Sequence, residues 1–209
     1  MKANQGLALD PQTDFMKYNL SEITQVIRQR RSIMPEMFSS RKVHREQIEL
    51  MLTNATWAPT HGLTQPWRFK VFSGESLAKL ADFVPGIYQK NTPENAFSPA
   101  KYAKMKARLE KASVVIIVCM HRDETGKISE LEEIEAVACS VQNLSLTATA
   151  YGLGTFWATP KIIYSSEMKE FLGLSEPDLC LGLIYVGYLE GEWPIAHRKP
   201  LEYVTEWHD

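Results

Sequence analysis

Residues 57–72 read WAPTHGLTQPWRFKVF, and the rest of the chain can be organised around this stretch. A proline stops an amphipathic helix, a polar turn follows, and apolar residues alternate with polar ones from Trp67 onward, as in a strand with one buried face. The turn presents Thr60, His61 and Gln65 around a flexible glycine. Loops held between two rigid elements often carry binding groups, so the turn is a candidate ligand site. A plain helix-to-strand connection with a satisfied histidine is the alternative.

Composition predicts one globular domain. The chain has 209 residues, of which 44% are hydrophobic, and a formal net charge of -2. That balance gives no general reason to bind nucleic acid or an anionic membrane surface. The sequence shows neither a signal segment nor the ~20 apolar residues of a membrane helix. We expect an N-terminal arm at residues 1–20, a single domain over residues 21–209, and a C-terminal arm from about residue 191.

Cysteine usage predicts a reducing compartment. Cys119, Cys139 and Cys180 lie far apart in apolar stretches, without a CxxC spacing. An odd number of scattered cysteines favours reduced, packed thiols, and therefore a cytoplasmic protein. The five histidines show no metal-ligand spacing with cysteines or carboxylates, so we expect no metal site. No nucleophile-elbow sequence is present either.

Helical periodicity and cap residues predict several helices. Ser21 is a candidate N-cap of a first helix, and Pro85-Gly86 a candidate end for a helix that follows the first strand. Residues 88–97 show no period, which is typical of a mobile loop that could be a lid. Ser98-Pro99 has the pattern of a further helix start.

The second half of the chain predicts a central strand and a central helix. Residues 113–120 are β-branched and apolar on both alternations, as in a strand covered on both faces. Ser129 and Glu132 form a capping-box signature for a long helix that ends near Gly152. Its second half is small and apolar around much of its circumference, so we expect it to be buried all round, either in the core of one subunit or in a subunit interface.

A pair of arginines closes the first helix. Arg30 and Arg31 are followed by Ser32, and two forked guanidinium groups with a hydroxyl could clamp a phosphate. A solvated basic end of the helix, favourable with the helix dipole, explains the same residues. The spacing alone does not decide between the two.

Four motifs in order resemble the nitroreductase family of flavin enzymes. They are Arg30-Arg31-Ser32, the Ala58-Pro59-Thr60 turn with Gln65-Pro66-Trp67, the GLGTFW run at 152–157, and Arg198-Lys199-Pro200. The resemblance covers roughly residues 23–204. It implies an α+β fold with a mixed, largely antiparallel central sheet flanked by helices, in an interlocked homodimer. It further implies FMN at the subunit interface and ping-pong electron transfer from NADH or NADPH to a nitro-aromatic, quinone or related small acceptor.

The same resemblance implies which residues contact the cofactor. By position they are Arg30, Arg31, Ser32, Pro59, Thr60, His61, Gln65, Arg108, Trp157, Ala158, Thr159 and Arg198. The arginines and Ser32 would hold the phosphate and ribityl chain, with Arg108 near the pyrimidine edge. The other residues would line the flavin ring. No catalytic side chain is implied beyond the cofactor.

The chain departs from the family pattern at three positions. Leu63 replaces an asparagine, Met34 stands where a basic residue is common, and Pro160 stands near a glycine whose backbone N–H approaches the flavin. Proline has no N–H to donate. A flavin-binding protein without nicotinamide-driven turnover is therefore the alternative function.

Overall fold

A four-stranded antiparallel sheet separates two layers of helices in the computed structural model, which describes residues 18–208. The strands are ordered β1-β2-β4-β3. The elements are α1 (Leu20–Gln29), α2 (Arg45–Ala55), β1 (Trp67–Ser73), α3 (Gly74–Asn91), α4 (Pro99–Lys111), β2 (Val114–Met120), α5 (Glu130–Ala150), β3 (Leu153–Ala158), α6 (Ser166–Phe171) and β4 (Leu179–Tyr188). Short 3₁₀ turns lie at Pro35–Met37, His61–Leu63, Glu94–Ala96, Lys161–Tyr164 and Leu201–Tyr203. The predicted α+β class is confirmed.

Each face of the sheet has its own core. On one face, α2 and α5 pack against Ile116, Val118 and Ile184. On the other face, α3, α4 and α6 pack against Ile117 and Leu183. Every residue of β2 is buried, which confirms the strand predicted to be covered on both sides. In the described part of the chain, the named strands pair only antiparallel to one another. The parallel pairing that we predicted for a mixed sheet is limited to one isolated bridge between Ser32 and Thr155.

Capping residues fix three helix starts. The Ser129 and Glu132 capping box of α5 is confirmed, and the Ser98 side chain accepts from the backbone of α4 as predicted. The prediction of Ser21 as the first cap was wrong, because Asn19 Oδ1 accepts from the backbone N–H groups of residues 21 and 22, at 3.1 and 3.3 Å. Of the predicted N-terminal arm, residues 1–17 lie outside the described residues.

Helix α3 passes through its proline, so the predicted end at Pro85-Gly86 was wrong. A proline inside a helix removes one backbone hydrogen bond, but Pro85, Ile87 and Tyr88 are all buried here and their packing offsets that loss. Much of the predicted mobile loop at 88–97 has regular structure, since residues 88–91 belong to α3 and Glu94–Ala96 form a 3₁₀ turn. Tyr88 packs beside Phe97, and its hydroxyl accepts from the backbone of Ser98 at 3.0 Å.

In the single chain, helix α5 is buried on the side that faces the sheet, and the burial all round that we expected for a core or interface helix stays a prediction. Ala136, Val137 and Val141 are buried against the sheet, whereas Ala138 and Cys139 are exposed in the single chain. A helix that lies on a sheet covers only one stripe of its surface. The small residues of the outer stripe are therefore available to another surface. None of the helices formed by residues 18–208 has the length and apolar character that crossing a bilayer requires.

Candidate functional site

The C-terminal tail returns to the end of α1. The indole of Trp193 donates to the carbonyl of Gln29 at 2.6 Å, and Arg31 Nε donates to the carbonyl of Pro194 at 2.9 Å. Arg30 caps the same helix end. These contacts bring Arg198, which follows in the tail, within electrostatic reach of Arg30. We call Arg30, Arg31 and Arg198 the cation corner.

The cation corner lacks a negative partner. Burial is the main reason that the pKa of Arg30 lies below its usual value, and the charges of Arg198 and Arg31 lower it further. Over residues 18–208, other arginines such as Arg45 and Arg108 form ion pairs with glutamates, whereas no carboxylate pairs with the cation corner. The charges of Arg198 and Arg31 near Arg30 fit a bound phosphate, which would supply the missing negative charge.

Close backbone packing joins the cation corner to β3. The N–H of Ile33 donates to the carbonyl of Thr155 at 2.9 Å, next to the bridge between Ser32 and Thr155. A Cβ on Gly154 would lie 2.7 Å from Ile33 Cβ, so only glycine fits there. This contact explains the second glycine of the GLGTFW run. The side chain of Ser32 stays exposed beside the arginines.

Residues 59–65, which we call the polar turn, are held mostly by their own hydrogen bonds. The Thr60 hydroxyl accepts from the backbone N–H of Gln65 at 3.2 Å and lies 3.1 Å from the Thr64 hydroxyl. Gly62, Leu63 and Gln65 all have positive φ, at 59°, 55° and 47°. Left-handed geometry is strained for non-glycine residues, so this turn has an unusual and fixed shape.

His61 is anchored to α5. Its Nδ1 lies 2.8 Å from Oε1 of Glu132, whose other carboxylate oxygen closes the capping box with Ser129. The hydrogen bond from Ser129, then the one from His61, holds the pKa of Glu132 below its usual value. An ionised carboxylate only accepts, so Nδ1 carries the proton and Nε2 is left for another partner.

A cavity of about 440 Å³ opens between the polar turn and α5. It is lined by Pro59, Thr60, His61, Glu132, Glu135, Ala136 and Cys139. Three predicted site residues, Pro59, Thr60 and His61, therefore share one concave surface with the exposed stripe of α5. Gln65 is exposed and does not line this cavity.

Trp157 presents one face of its indole at the edge of the sheet. Its side chain is 40% exposed in the single chain, and Nε1 donates to the carbonyl of Leu181 at 3.1 Å. Ala158 is half-buried and Thr159 is exposed as the chain leaves β3. These residues follow Thr155, to which the segment of the cation corner is bonded.

Arg108 lies apart from the other predicted residues. Its Nε donates to Oε1 of Glu36 at 2.8 Å, and its guanidinium lies 5.3 Å from the ring centre of Phe156. Phe156 packs with α3 and α4, whereas the alternating Trp157 side chain belongs to the opposite face of the sheet. The predicted position of Arg108 near the pyrimidine edge of the flavin stays a prediction.

The cation corner and the polar turn occupy opposite corners of the sheet in one chain. The strand register runs from Ser32 through Thr155 and the central strands to Ser73, the last residue of β1. The polar turn leads into Trp67, the first residue of β1. At ~4.8 Å between strands and ~3.3 Å per residue, Ser32 and Trp67 lie roughly 27 Å apart.

Sequence reasoning did not find two elements of the site. Glu132 was predicted as a cap, but its contact with His61 joins residues 71 positions apart. Trp193 and Pro194, which attach the tail to α1, carry no local motif at all. Both contacts depend on the tertiary fold. Among residues 18–208, no group of three His, Cys, Asp or Glu side chains is arranged to hold a metal ion.

The comparison with known families decides the family. The model of the nitroreductase family matches residues 27–188, which include the end of α1, the polar turn and all four strands. The chain belongs to the nitroreductase family.

Relatives agree with this assignment over nearly the whole chain. A Bacillus subtilis protein named "Putative NAD(P)H nitroreductase YfhC" is 29% identical over 192 residues, which are 91% of this chain and 96% of that protein. A nitroreductase-like family protein from Bacillus cereus has a similar structure, with a TM-score of 0.76, 27% identity, and coverage of 94% of this chain and 100% of the other. A structure described as a putative nitroreductase in complex with FMN, from Desulfovibrio desulfuricans, has a TM-score of 0.67, 25% identity, and coverage of 92% and 99%.

Proposed function

We propose that this nitroreductase-family protein is an FMN-dependent oxidoreductase that transfers electrons from NADH or NADPH to a nitro-aromatic, quinone or related small acceptor. The observation that carries the proposal is the cation corner, because Arg30, Arg31 and Arg198 converge without a carboxylate partner in the described chain. Support comes from the Desulfovibrio structure, which contains FMN, and from the Bacillus subtilis relative, which is named as an NAD(P)H nitroreductase.

The residues at the site fit each part of the cofactor. Arg30 and Arg198 would bind the phosphate, because guanidinium groups donate in a fork that matches its oxygens. The exposed Ser32 hydroxyl would donate to the phosphate or the ribityl chain. The flat, half-exposed Trp157 would contact the ring, together with Ala158 and Thr159. Bound FMN would supply hydride acceptance from the nicotinamide and electron donation to the acceptor.

The polar turn would have a different role from the cation corner. Nε2 of His61 is left without the anchor that Nδ1 has, so it can hydrogen-bond a polar edge of the ring. Thr60 and Gln65 complete that surface. The side chains would bind and orient the cofactor and exclude water around it, without a catalytic acid or base of their own.

We propose that the site is shared between two copies of the chain. Strand spacing and rise place the two corners roughly 27 Å apart, so one copy of the chain holds them at opposite ends of its sheet. The polar turn of one copy would therefore meet the cation corner of the other. The exposed stripe of α5 at Ala138 and Cys139 supports this homodimer, because small residues allow close packing of helices. Sedimentation of the flavin-loaded protein tests it, and a stable loaded monomer would contradict it.

The absorption spectrum of the purified protein tests the function most directly. We expect a yellow protein whose flavin band bleaches when NADH or NADPH is added without oxygen. Initial rates with a quinone should give parallel double-reciprocal lines, as in a ping-pong reaction. A colourless protein that cannot be loaded with FMN would overturn the proposal.

A flavin-binding protein without turnover is the second candidate. Two observations favour it: Pro160 has no N–H to offer, and Leu63, at the family's asparagine position, is 79% exposed and has no polar group. A yellow protein that neither nicotinamide bleaches would support this candidate.

We also propose a cytoplasmic location. Cys119 and Cys180 face each other across β2 and β4 as free thiols, and Cys139 is also free. Neighbouring cysteines of this kind tend to oxidise outside reducing compartments. Freshly purified, denatured protein should therefore show all three thiols in a thiol assay.

A further inference from the structure

Strand β4 is irregular beside Trp157. Val118 of β2 pairs with Gly182, and the next residue, Cys119, pairs with Cys180, so Leu181 is left over as a bulge. The carbonyl of this extra residue accepts the indole N–H of Trp157 at 3.1 Å. A bulge turns backbone groups out of the ladder and can aim them at a side chain. Here it supplies the acceptor that fixes the ring.

Gly182 leaves the space that the indole occupies. A Cβ on this residue would lie 2.2 Å from Trp157 Nε1 and 2.9 Å from the carbonyl oxygen of Ala158. Its φ of +145° is also a conformation that side-chain-bearing residues rarely adopt. Glycine is therefore required at this position for two reasons: the backbone conformation disfavours other residues, and a side chain would collide with the indole.

A purely structural role leaves one feature unexplained. A tryptophan that serves only the core would bury its ring, whereas Trp157 is 40% exposed although its N–H is anchored. The bulge thus holds a partly exposed aromatic ring in one orientation. Thr159, which is also predicted to line the flavin ring, follows two residues later in the chain.

We propose that the Leu181 bulge and Gly182 are positioning elements that hold Trp157 as a rigid platform for a planar aromatic ring, the ring of the flavin. This inference rests on the proposed function and adds to it the residues that orient the platform. A fixed ring binds a planar ligand better than a mobile ring, because less side-chain freedom is lost on binding.

Exchange of the Trp157 indole proton tests the positioning without any cofactor. In flavin-free wild-type protein, NMR should show slower hydrogen exchange at Trp157 Nε1 than at the indole of the exposed Trp207. Gly182→Ala should abolish that protection. Gly86→Ala is the matched control, because a Cβ there meets nothing within 4 Å. Equal exchange at Trp157 in the wild type and in Gly182→Ala would overturn the positioning role.

Flavin affinity tests what the platform is for. Trp157→Phe keeps an aromatic ring but removes the anchoring N–H, and we expect FMN and riboflavin to bind about three- to tenfold more weakly, the effect of one lost hydrogen bond. Equal losses for both ligands are expected, because the platform would contact the ring and not the phosphate. If Gly182→Ala does not fold, Trp157→Phe still gives the answer, since it introduces no atom into the strand.

The outcomes separate the two proposals. Wild-type protein that binds neither flavin overturns the proposed function and the platform role together. Wild-type protein that binds FMN, with unchanged affinity for both flavins in Trp157→Phe, overturns the platform role alone. A loss confined to FMN would also overturn it, because it would place Trp157 at the phosphate.

Discussion

The cation corner and the polar turn are both predicted to bind the same cofactor, but they are built in opposite ways. In the cation corner, residues far apart in sequence are brought together, and the repulsion between Arg30 and Arg198 has no internal compensation in the described chain. In the polar turn, the groups mostly satisfy one another: Thr60 accepts from the backbone of Gln65, and His61 is paired with Glu132.

This difference separates two kinds of evidence for a ligand site. Uncompensated charge indicates that something outside the chain completes the cluster, and it indicates the sign of that ligand. A self-satisfied turn with strained backbone indicates a defined shape and only a few free groups. The cation corner should therefore control affinity through charge, and the polar turn should control stability and orientation. Four experiments test this contrast.

Glu133→Gln should give the largest effect, and it should appear as lost stability. Glu133 follows Glu132 in α5 and is 1% exposed; it pairs with Arg122, and its carboxylate accepts from the N–H of Asp123 at 2.8 Å. Removing the charge of a buried pair leaves Arg122 without its partner, at a cost of about 3 kcal/mol in the free energy of unfolding. Urea unfolding measures this, with the exposed Glu130→Gln in the same helical turn as control. Similar losses in the two variants would show that the buried pair is not the cause.

Arg30→Ala should reduce FMN affinity without destabilising the flavin-free protein. A phosphate that loses one charge-assisted partner binds about 1.5 to 3 kcal/mol more weakly, or roughly ten- to a hundredfold. Riboflavin, which has no phosphate, should bind the variant and the wild type alike, and Arg30→Lys should be intermediate because it keeps the charge without the fork. Fluorescence titration of FMN and riboflavin against the three proteins gives these affinities.

Lys199→Ala is the matched control for the cation corner. Lys199 is exposed and adjoins Arg198 in the tail, so a loss of FMN affinity there would indicate general electrostatics instead of a specific clamp. Equal loss of FMN and riboflavin in Arg30→Ala would show that this residue supports the fold.

Leu63→Asn should raise stability modestly. Leu63 has a φ of 55° and is 79% exposed, so its side chain contributes little packing. Asparagine adopts left-handed geometry more readily, and relief of the strain should increase the free energy of unfolding by about 1 kcal/mol. Leu131→Asn, at an exposed leucine in α5, should give no such gain. Thermal unfolding of both variants provides the comparison, and a gain in both would point to solubility instead of strain.

Glu132→Gln should have the smallest effect, a modest loss of stability above pH 4.5 that disappears in acid. The pKa of Glu132 is lowered from 4.5 by the hydrogen bonds of Ser129 and His61. A carboxyl group with a depressed pKa in the folded state stabilises the protein above its unfolded pKa, and this contribution is lost as the pH falls through the folded value. The variant should therefore lose less stability than the wild type as the pH falls below 4.5. Unfolding measured across that range, with Glu135→Gln as control, tests the sign, and identical pH profiles would contradict it.

Local patterns predicted the elements whose causes are local. The capping box at Ser129 and Glu132 fixed the start of α5, and the apolar run at 113–120 indicated a central strand, as the structure confirms. The prediction failed at Pro85, where burial of the neighbouring side chains outweighs the helix-breaking tendency of proline. The outer stripe of α5 is exposed in the single chain, so its predicted burial depends on a second copy of the chain and stays a prediction.

The candidate site shows the same division between features with local causes and features with tertiary causes. The motifs at Arg30, Thr60 and Trp157 were visible because each is a short run of sequence. The partners that orient them were not visible, since Glu132, Leu181 and the tail at Trp193 contact them from distant positions.

The sequence by itself determined the family, the α+β class and the residue types available for a flavin, because these follow from short motifs and from periodicity. Only the tertiary structure decided that Arg198 returns to Arg30, that the polar turn lies at the opposite corner, and that a bulge holds Trp157. The physical reason is that charge clusters and strand register are set by contacts between segments far apart in the chain, whose free energies no local pattern encodes.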